Sequence, residues 1–126
     1  MIRDEILAKE PGRDLDAVVA EEMGISSFTT HDFFGNPHLS YFDDAPDGER
    51  SLYNVPHYST EISAAWPLVE EMVSAGCEVN IFNKPDGTVE IEVMEGEDSV
   101  VWTQVQNTAP EAICKAYLLW RESEND

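Results

Sequence analysis

The stretch Tyr58-Ser59-Thr60-Glu61-Ile62-Ser63-Ala64-Ala65-Trp66 decides how the chain is read. A polar entry gives way to an apolar run. Either Thr60 or Ser63 is suited to cap a helix there, because a hydroxyl can accept a bond from an orphan N–H of the first turn. Pro67 lacks an N–H and is tolerated only near a helix start, so the regular helix should begin close to Ile62 or Ser63. Ile62, Ala65, Trp66, Val69, Met72 and Val73 then recur at helical spacing on one face. The pattern predicts a central helix with Trp66 as a large core residue, closed by Gly76.

Beyond Gly76 the period changes to two. Cys77, Val79 and Ile81 alternate with Glu78, Asn80 and Phe82. Lys84-Pro85-Asp86-Gly87 is a turn signal, and Val89, Ile91 and Val93 then alternate with Glu90 and Glu92. This predicts an antiparallel hairpin with one buried face. A third strand is expected over residues 100–106, with either Val101, Thr103 and Val105 or Val100 and Trp102 facing the core. Thr108-Ala109-Pro110-Glu111 has the form of a capping box and opens a last helix, with Ile113, Ala116, Tyr117 and Trp120 on one face. On the other side of the opening stretch, residues 3–9 read as a short helix interrupted by Pro11. Leu15, Val18, Val19 and Met23 then mark a second helix, closed by Gly24.

Tyr58-Ser59-Thr60-Glu61-Ile62-Ser63-Ala64-Ala65-Trp66, followed by Val69-Glu70-Glu71, resembles the motif of the phage ABA sandwich domain family. Gly12-Arg13-Asp14-Leu15-Asp16-Ala17-Val18-Val19-Ala20-Glu21 is similar to that family's first helix. Thr108-Ala109-Pro110-Glu111-Ala112-Ile113-Cys114-Lys115-Ala116-Tyr117-Leu118-Leu119 is similar to its last. The three blocks reach from one end of the chain to the other. The resemblance implies a single domain over residues 1–126 with an α/β/α-sandwich-like α+β fold. That fold would carry three main helices and an antiparallel sheet of roughly three to five strands. It implies a small phage or prophage protein, and no general activity. The chain departs from the family pattern in a long insert at about residues 26–57.

That insert is too aromatic for a solvated linker, with Phe28, Phe33, Phe34, Tyr41, Phe42 and Tyr53 inside it and Tyr58 just beyond. Leu39-Ser40-Tyr41-Phe42 and Ser51-Leu52-Tyr53-Asn54-Val55 can pair as a hairpin across a loop at Asp43–Arg50, with Asp47-Gly48 as its turn chemistry. Its aromatics are expected either to cap the core or to present a binding surface, with Phe34, Tyr41 and Tyr53 as candidate binding residues.

The formal charge is −19, from 26 acidic and seven basic residues. Phosphate binding requires basic side chains, so direct binding of nucleic acid is not expected, nor is an anionic membrane. A basic protein partner remains compatible. No apolar run is long enough to cross a membrane and the N-terminus lacks a signal-like apolar region, which together predict a protein of the bacterial host's cytoplasm. Cys77 and Cys114 are expected to be buried free thiols.

No nucleotide-binding, nucleophile or metalloprotease motif occurs, so no catalytic residue and no cofactor is assigned. His31, His38 and His57 lack metal-ligand spacing, and no metal site is assigned. The more informative signal is charge. Residues 85–114 carry no base, and Glu90, Glu92, Glu95 and Glu97 fall there as candidate binding residues. On a strand, Glu90 and Glu92 stand about 7 Å apart, a repeat comparable to successive phosphates. The expected function is a non-enzymatic accessory protein binding a host or phage macromolecule through this acidic surface, the aromatic insert or both. A binder of a small nucleotide signal and a metal-dependent hydrolase are the alternatives. Exposed insert aromatics would favour a homodimer.

Overall fold

The computed structural model describes residues 3–25, 28–31, 37–44, 50–103 and 105–124. Their order is α1 (Arg3–Ala8), α2 (Arg13–Glu22), β1 (Phe28–His31), β2 (Pro37–Asp44), β3 (Arg50–Asn54), α3 (Ile62–Ser74), β4 (Cys77–Asn83), β5 (Val89–Glu95), β6 (Asp98–Trp102) and α4 (Ala109–Glu124). The fold is α+β, with antiparallel pairing throughout the described strands. No described helix is long and apolar enough to cross a membrane.

The strands form two three-stranded sheets, β1-β2-β3 and β4-β5-β6. The first lies within the insert. Its β2–β3 hairpin joins the two stretches expected to pair, with Tyr41 opposite Tyr53 and Phe42 opposite Leu52. The strands continue through the pairs Asp43–Ser51 and Asp44–Arg50, so Asp43, Asp44 and Arg50 belong to the strands and not to the expected loop. The second sheet begins with the predicted hairpin. Its turn is closed by Lys84 N–H donating to Thr88 O (2.9 Å), and Gly87 takes a φ of 89°, where a side chain would be strained.

The third strand is shorter than residues 100–106 and starts earlier. Val93 pairs with Val101 but Met94 pairs with Ser99, so a bulge at Val100 shifts the register. The bulge settles the face: Val101 and Thr103 are buried while Trp102 and Val105 are exposed. Beyond the strand, Gln106 rejoins the sheet through a pair of 2.8 Å backbone bonds with Val89.

The central helix is α4, not α3. Every residue from Glu111 to Trp120 is buried, because α4 packs on β5 and β6 on one side and on α1, α2 and α3 around the rest. A helix buried all round must be apolar all round or have its polar groups matched internally. Half of the expected capping box forms at its start: Glu111 N–H donates to Thr108 Oγ1 (3.4 Å), while the Glu111 carboxylate turns to Lys115 instead of back to Thr108.

Helix α3 begins at Ile62 as expected, but its cap and its buried face differ from the sequence reading. Neither Thr60 nor Ser63 caps it. Glu61 occupies that position in an extended conformation and makes no side-chain capping bond, while residues 57–60 form a turn on the His57 carbonyl. The helix buries Ala65, Leu68, Val69 and Met72. Trp66 is 46% exposed, and Ile62 and Val73 are exposed with it. The reason is rotation of the helix by part of a turn, which brings Leu68 inward in exchange for Trp66.

Candidate functional site: an acidic and aromatic sheet face

Alternation along β5 sends Val89, Ile91 and Val93 into the core and turns Glu90, Glu92 and Met94 to the opposite face. The register of β4 sets Phe82 beside Glu90, Asn80 beside Glu92 and Glu78 beside Met94. On the other flank, β6 sets Trp102 beside Glu92. Phe82 and Trp102 therefore stand on strands separated by β5, a backbone gap of about 9–10 Å. Their rings lean together over β5, with centroids 5.7 Å apart and planes tilted by 31°. Both remain accessible, Phe82 at 41% and Trp102 at 38%.

The two carboxylates of this face are differently engaged. Glu90 Oε2 lies 3.3 Å from Lys84 Nζ, and the Lys84 side chain is partly exposed. Among the described residues, Glu92 Oε1 accepts only a long bond, from Asn80 Nδ2 (3.5 Å). At the β4–β5 turn, Thr88 donates its N–H and hydroxyl to Asp86 Oδ1 (3.0 and 2.6 Å). Those bonds, the hydroxyl's first, hold the Asp86 carboxyl below its ordinary value.

Glu95 and Glu97 do not extend the row. Glu95 lies on the core side of β5, where its Oε1 accepts from Trp120 Nε1 (3.3 Å) and sits 3.9 Å from Cys77 Sγ. Glu97 is exposed in the tight turn between β5 and β6. Of the insert candidates, Phe34 lies outside the described residues. Tyr41 and Tyr53 are paired across β2 and β3, but their side chains lie outside the description. His57 is exposed, and no group of three or more potential metal ligands occurs among the described residues.

A family model for the phage ABA sandwich domain matches residues 17–118. The chain belongs to the phage ABA sandwich domain family. It is, at that level, a phage-associated protein. No curated protein and no solved structure matches it.

Within this phage ABA sandwich domain, the Tyr58–Trp66 stretch has a structural role at its front. Ser59 N–H and the Ser59 hydroxyl both reach Asp16 Oδ1 (2.8 and 2.7 Å). Gly12 N–H donates to Ser59 Oγ (2.8 Å), and Arg13 Nη1 donates to Asp16 Oδ2 (2.7 Å). Arg13 Nη2 also reaches Val55 O (2.7 Å), so one cluster ties the start of α2 to the segment entering α3. Asp16 and Ser59 are fully buried. Their bonds replace the water that a buried carboxylate and hydroxyl give up.

Sequence reasoning missed a second cluster inside α4. Lys115 is buried, and its ammonium donates to Leu7 O, Gln106 Oε1 and Glu111 Oε2 at 2.9, 2.8 and 2.9 Å. Three acceptors match the three N–H bonds of an ammonium. Its trace in the sequence is a base inside the otherwise apolar run Ala112–Trp120. Nearby, burial raises the Cys114 thiol far above its ordinary value, with Asp16 and Glu111 adding to the effect and Lys115 opposing it. Between α3 and α4, the Tyr117 hydroxyl and Glu71 Oε2 are buried polar atoms with no hydrogen-bond partner among the described residues. Arg121 Nε faces Glu22 Oε2 of α2 at 3.8 Å, where both side chains are partly exposed. Burial first, then the Glu71 carboxylate, keeps the Tyr117 phenol protonated. The Asp16–Ser59 and Lys115 clusters tie elements together inside the fold, whereas the Phe82–Trp102 pair lies at the surface.

Proposed function

We propose that this protein is a non-enzymatic phage or prophage accessory protein that binds a host or phage protein in the bacterial cytoplasm. The observation that carries the reading is the outer face of β4-β5-β6, where a contacting aromatic pair is left exposed beside Glu90 and Glu92. Exposed aromatic rings are enriched at protein–protein hot spots, and carboxylates around them favour a basic partner. The charge of −19 supports a protein partner over nucleic acid, whose phosphates would be repelled.

Affinity capture from host lysate tests the reading, using the intact protein and a Glu90→Gln/Glu92→Gln/Glu97→Gln variant at low and moderate salt. Glu95 is left in place because it accepts the Trp120 indole bond. Specific capture that weakens with added salt and with the substitutions is the expected result. Capture indifferent to both changes, or no capture in any condition, overturns the reading.

A further inference from the structure

We propose that the outer face of β4-β5-β6 docks an arginine-bearing segment of the partner protein, the guanidinium lying on the Phe82–Trp102 rings between Glu90 and Glu92. The inference rests on the function proposed above and specifies the chemistry that the face recognises. The rings approach one another across β5 and leave their outer surfaces open. An aromatic face attracts a cation through its quadrupole, and a neighbouring carboxylate adds a charge-assisted bond.

The face already holds one cation. Lys84 from the β4–β5 turn lies 3.3 Å from Glu90 and remains 42% exposed, so it occupies the rim and not the centre. Among the described residues, the hydrogen bond that Glu92, next to Trp102, accepts is the long one from Asn80. A guanidinium suits this vacancy better than an ammonium because it is planar: it can stack on a ring and present its fork to a carboxylate together.

Charge decides between occupants. A second copy of this chain would bring Glu78, Glu90 and Glu92 against the same three residues, and like charges across an interface are costly. A segment carrying arginine is complementary in charge and in shape.

The test is fluorescence anisotropy of a labelled arginine-rich peptide and a lysine-rich peptide of the same length, each titrated with the intact protein at moderate salt. The arginine peptide should bind severalfold more tightly. Phe82→Ser/Trp102→Ser should weaken it about tenfold while changing lysine-peptide binding little, so the preference disappears. Glu90→Gln/Glu92→Gln should also reduce the preference. Glu61→Gln/Glu70→Gln removes the same charge from the exposed surface of α3 and should leave the preference intact.

Equal binding of the two peptides, or a ring variant that binds like the parent, overturns the proposal. If circular dichroism shows the ring variant unfolded, the Glu90/Glu92 variant against the Glu61/Glu70 variant decides the matter. Self-association in sedimentation that the ring substitutions abolish assigns the face to a second copy and also overturns it. Salt-sensitive capture of a host protein that survives the ring substitutions overturns the arginine site and leaves the broader binding function standing. Failure of all lysate capture, with the arginine preference intact, does the reverse.

Discussion

Ser59 donates both its backbone N–H and its hydroxyl to one oxygen of Asp16, at 2.8 and 2.7 Å, across 43 positions of sequence. The other oxygen takes Arg13 at 2.7 Å, so the buried carboxylate is matched on both sides. Asp16→Ala removes the acceptor shared by the Ser59 N–H, the Ser59 hydroxyl and Arg13, leaving the buried Ser59 N–H unmatched, and it should destabilise the protein by about 3–5 kcal/mol. Ser59→Ala keeps the backbone bond and should cost about 1–3 kcal/mol. Urea unfolding of the two variants checks the order; a smaller loss for Asp16→Ala than for Ser59→Ala would contradict it.

Lys115 and Glu111 lie one turn apart on α4 and are both buried. Lys115→Met leaves the Glu111 carboxylate without its cation and should cost about 3–5 kcal/mol. Adding Glu111→Gln removes that orphan charge, so the double variant should be more stable than Lys115→Met alone. A double-mutant cycle measures this as a coupling of at least about 1 kcal/mol. Additive losses would place the pair's energy with its other partners, Gln106 and Leu7.

The three tryptophans separate cleanly by environment. Trp120 is buried against Tyr117, whereas Trp66 and Trp102 are substantially exposed. Trp120→Ala should cost about 3–5 kcal/mol. Trp66→Ala should cost less than about 1 kcal/mol. Iodide or acrylamide quenching should reach Trp66 and Trp102 and spare Trp120, which single-tryptophan variants would resolve.

The contrast at Trp66 shows where the sequence runs out. Ile62, Trp66, Val69 and Val73 form one helical stripe, and Ala65, Leu68, Val69 and Met72 form a second beside it. Periodicity marks α3 as a helix, but packing against α4 and β4 chooses the stripe. The β4–β5 hairpin was legible because alternation there is unbroken and the Pro-Asp-Gly turn sits between the strands. Glu90 and Glu92 were therefore placed on the outer face from sequence. The Phe82–Trp102 contact was not legible, because it depends on a register set by the bulge at Val100. The pairing of Lys115 with Glu111 was not legible, because nothing in the i,i+4 spacing shows that α4 is buried on all sides.

Alkaline pH should unfold the protein through two residues of α4. The folded state raises both Cys114 and Tyr117 above their ordinary values, so it favours their neutral forms. Each contributes stability that is full below its unfolded-state pKa. That contribution falls as pH rises and the unfolded chain alone ionises. The loss should begin near the ordinary thiol value of about 8.5 and steepen near the ordinary phenol value of about 10. Cys114→Ala should flatten the first part of the profile and Tyr117→Phe the second, as followed by denaturation midpoints. An unchanged slope in both variants would assign alkaline sensitivity elsewhere.

Salt should stabilise this protein. Among the described residues, Arg13–Asp16 and Lys115–Glu111 are ion pairs with a buried carboxylate, and Lys84–Glu90 and Arg121–Glu22 are more exposed. With 26 acidic residues against seven basic ones, the net charge of −19 makes the long-range electrostatics repulsive. At about 0.1 M ionic strength the screening length is about 10 Å, short enough to suppress repulsion between separated surface charges. The buried pairs are screened far less, so added sodium chloride should remove more repulsion than attraction. The urea midpoint should therefore rise between low and moderate salt. The rise should shrink in the Glu61→Gln/Glu70→Gln variant, which carries two fewer negative charges. A midpoint that falls with salt would mean that the exposed pairs at Lys84 and Arg121 outweigh the net charge.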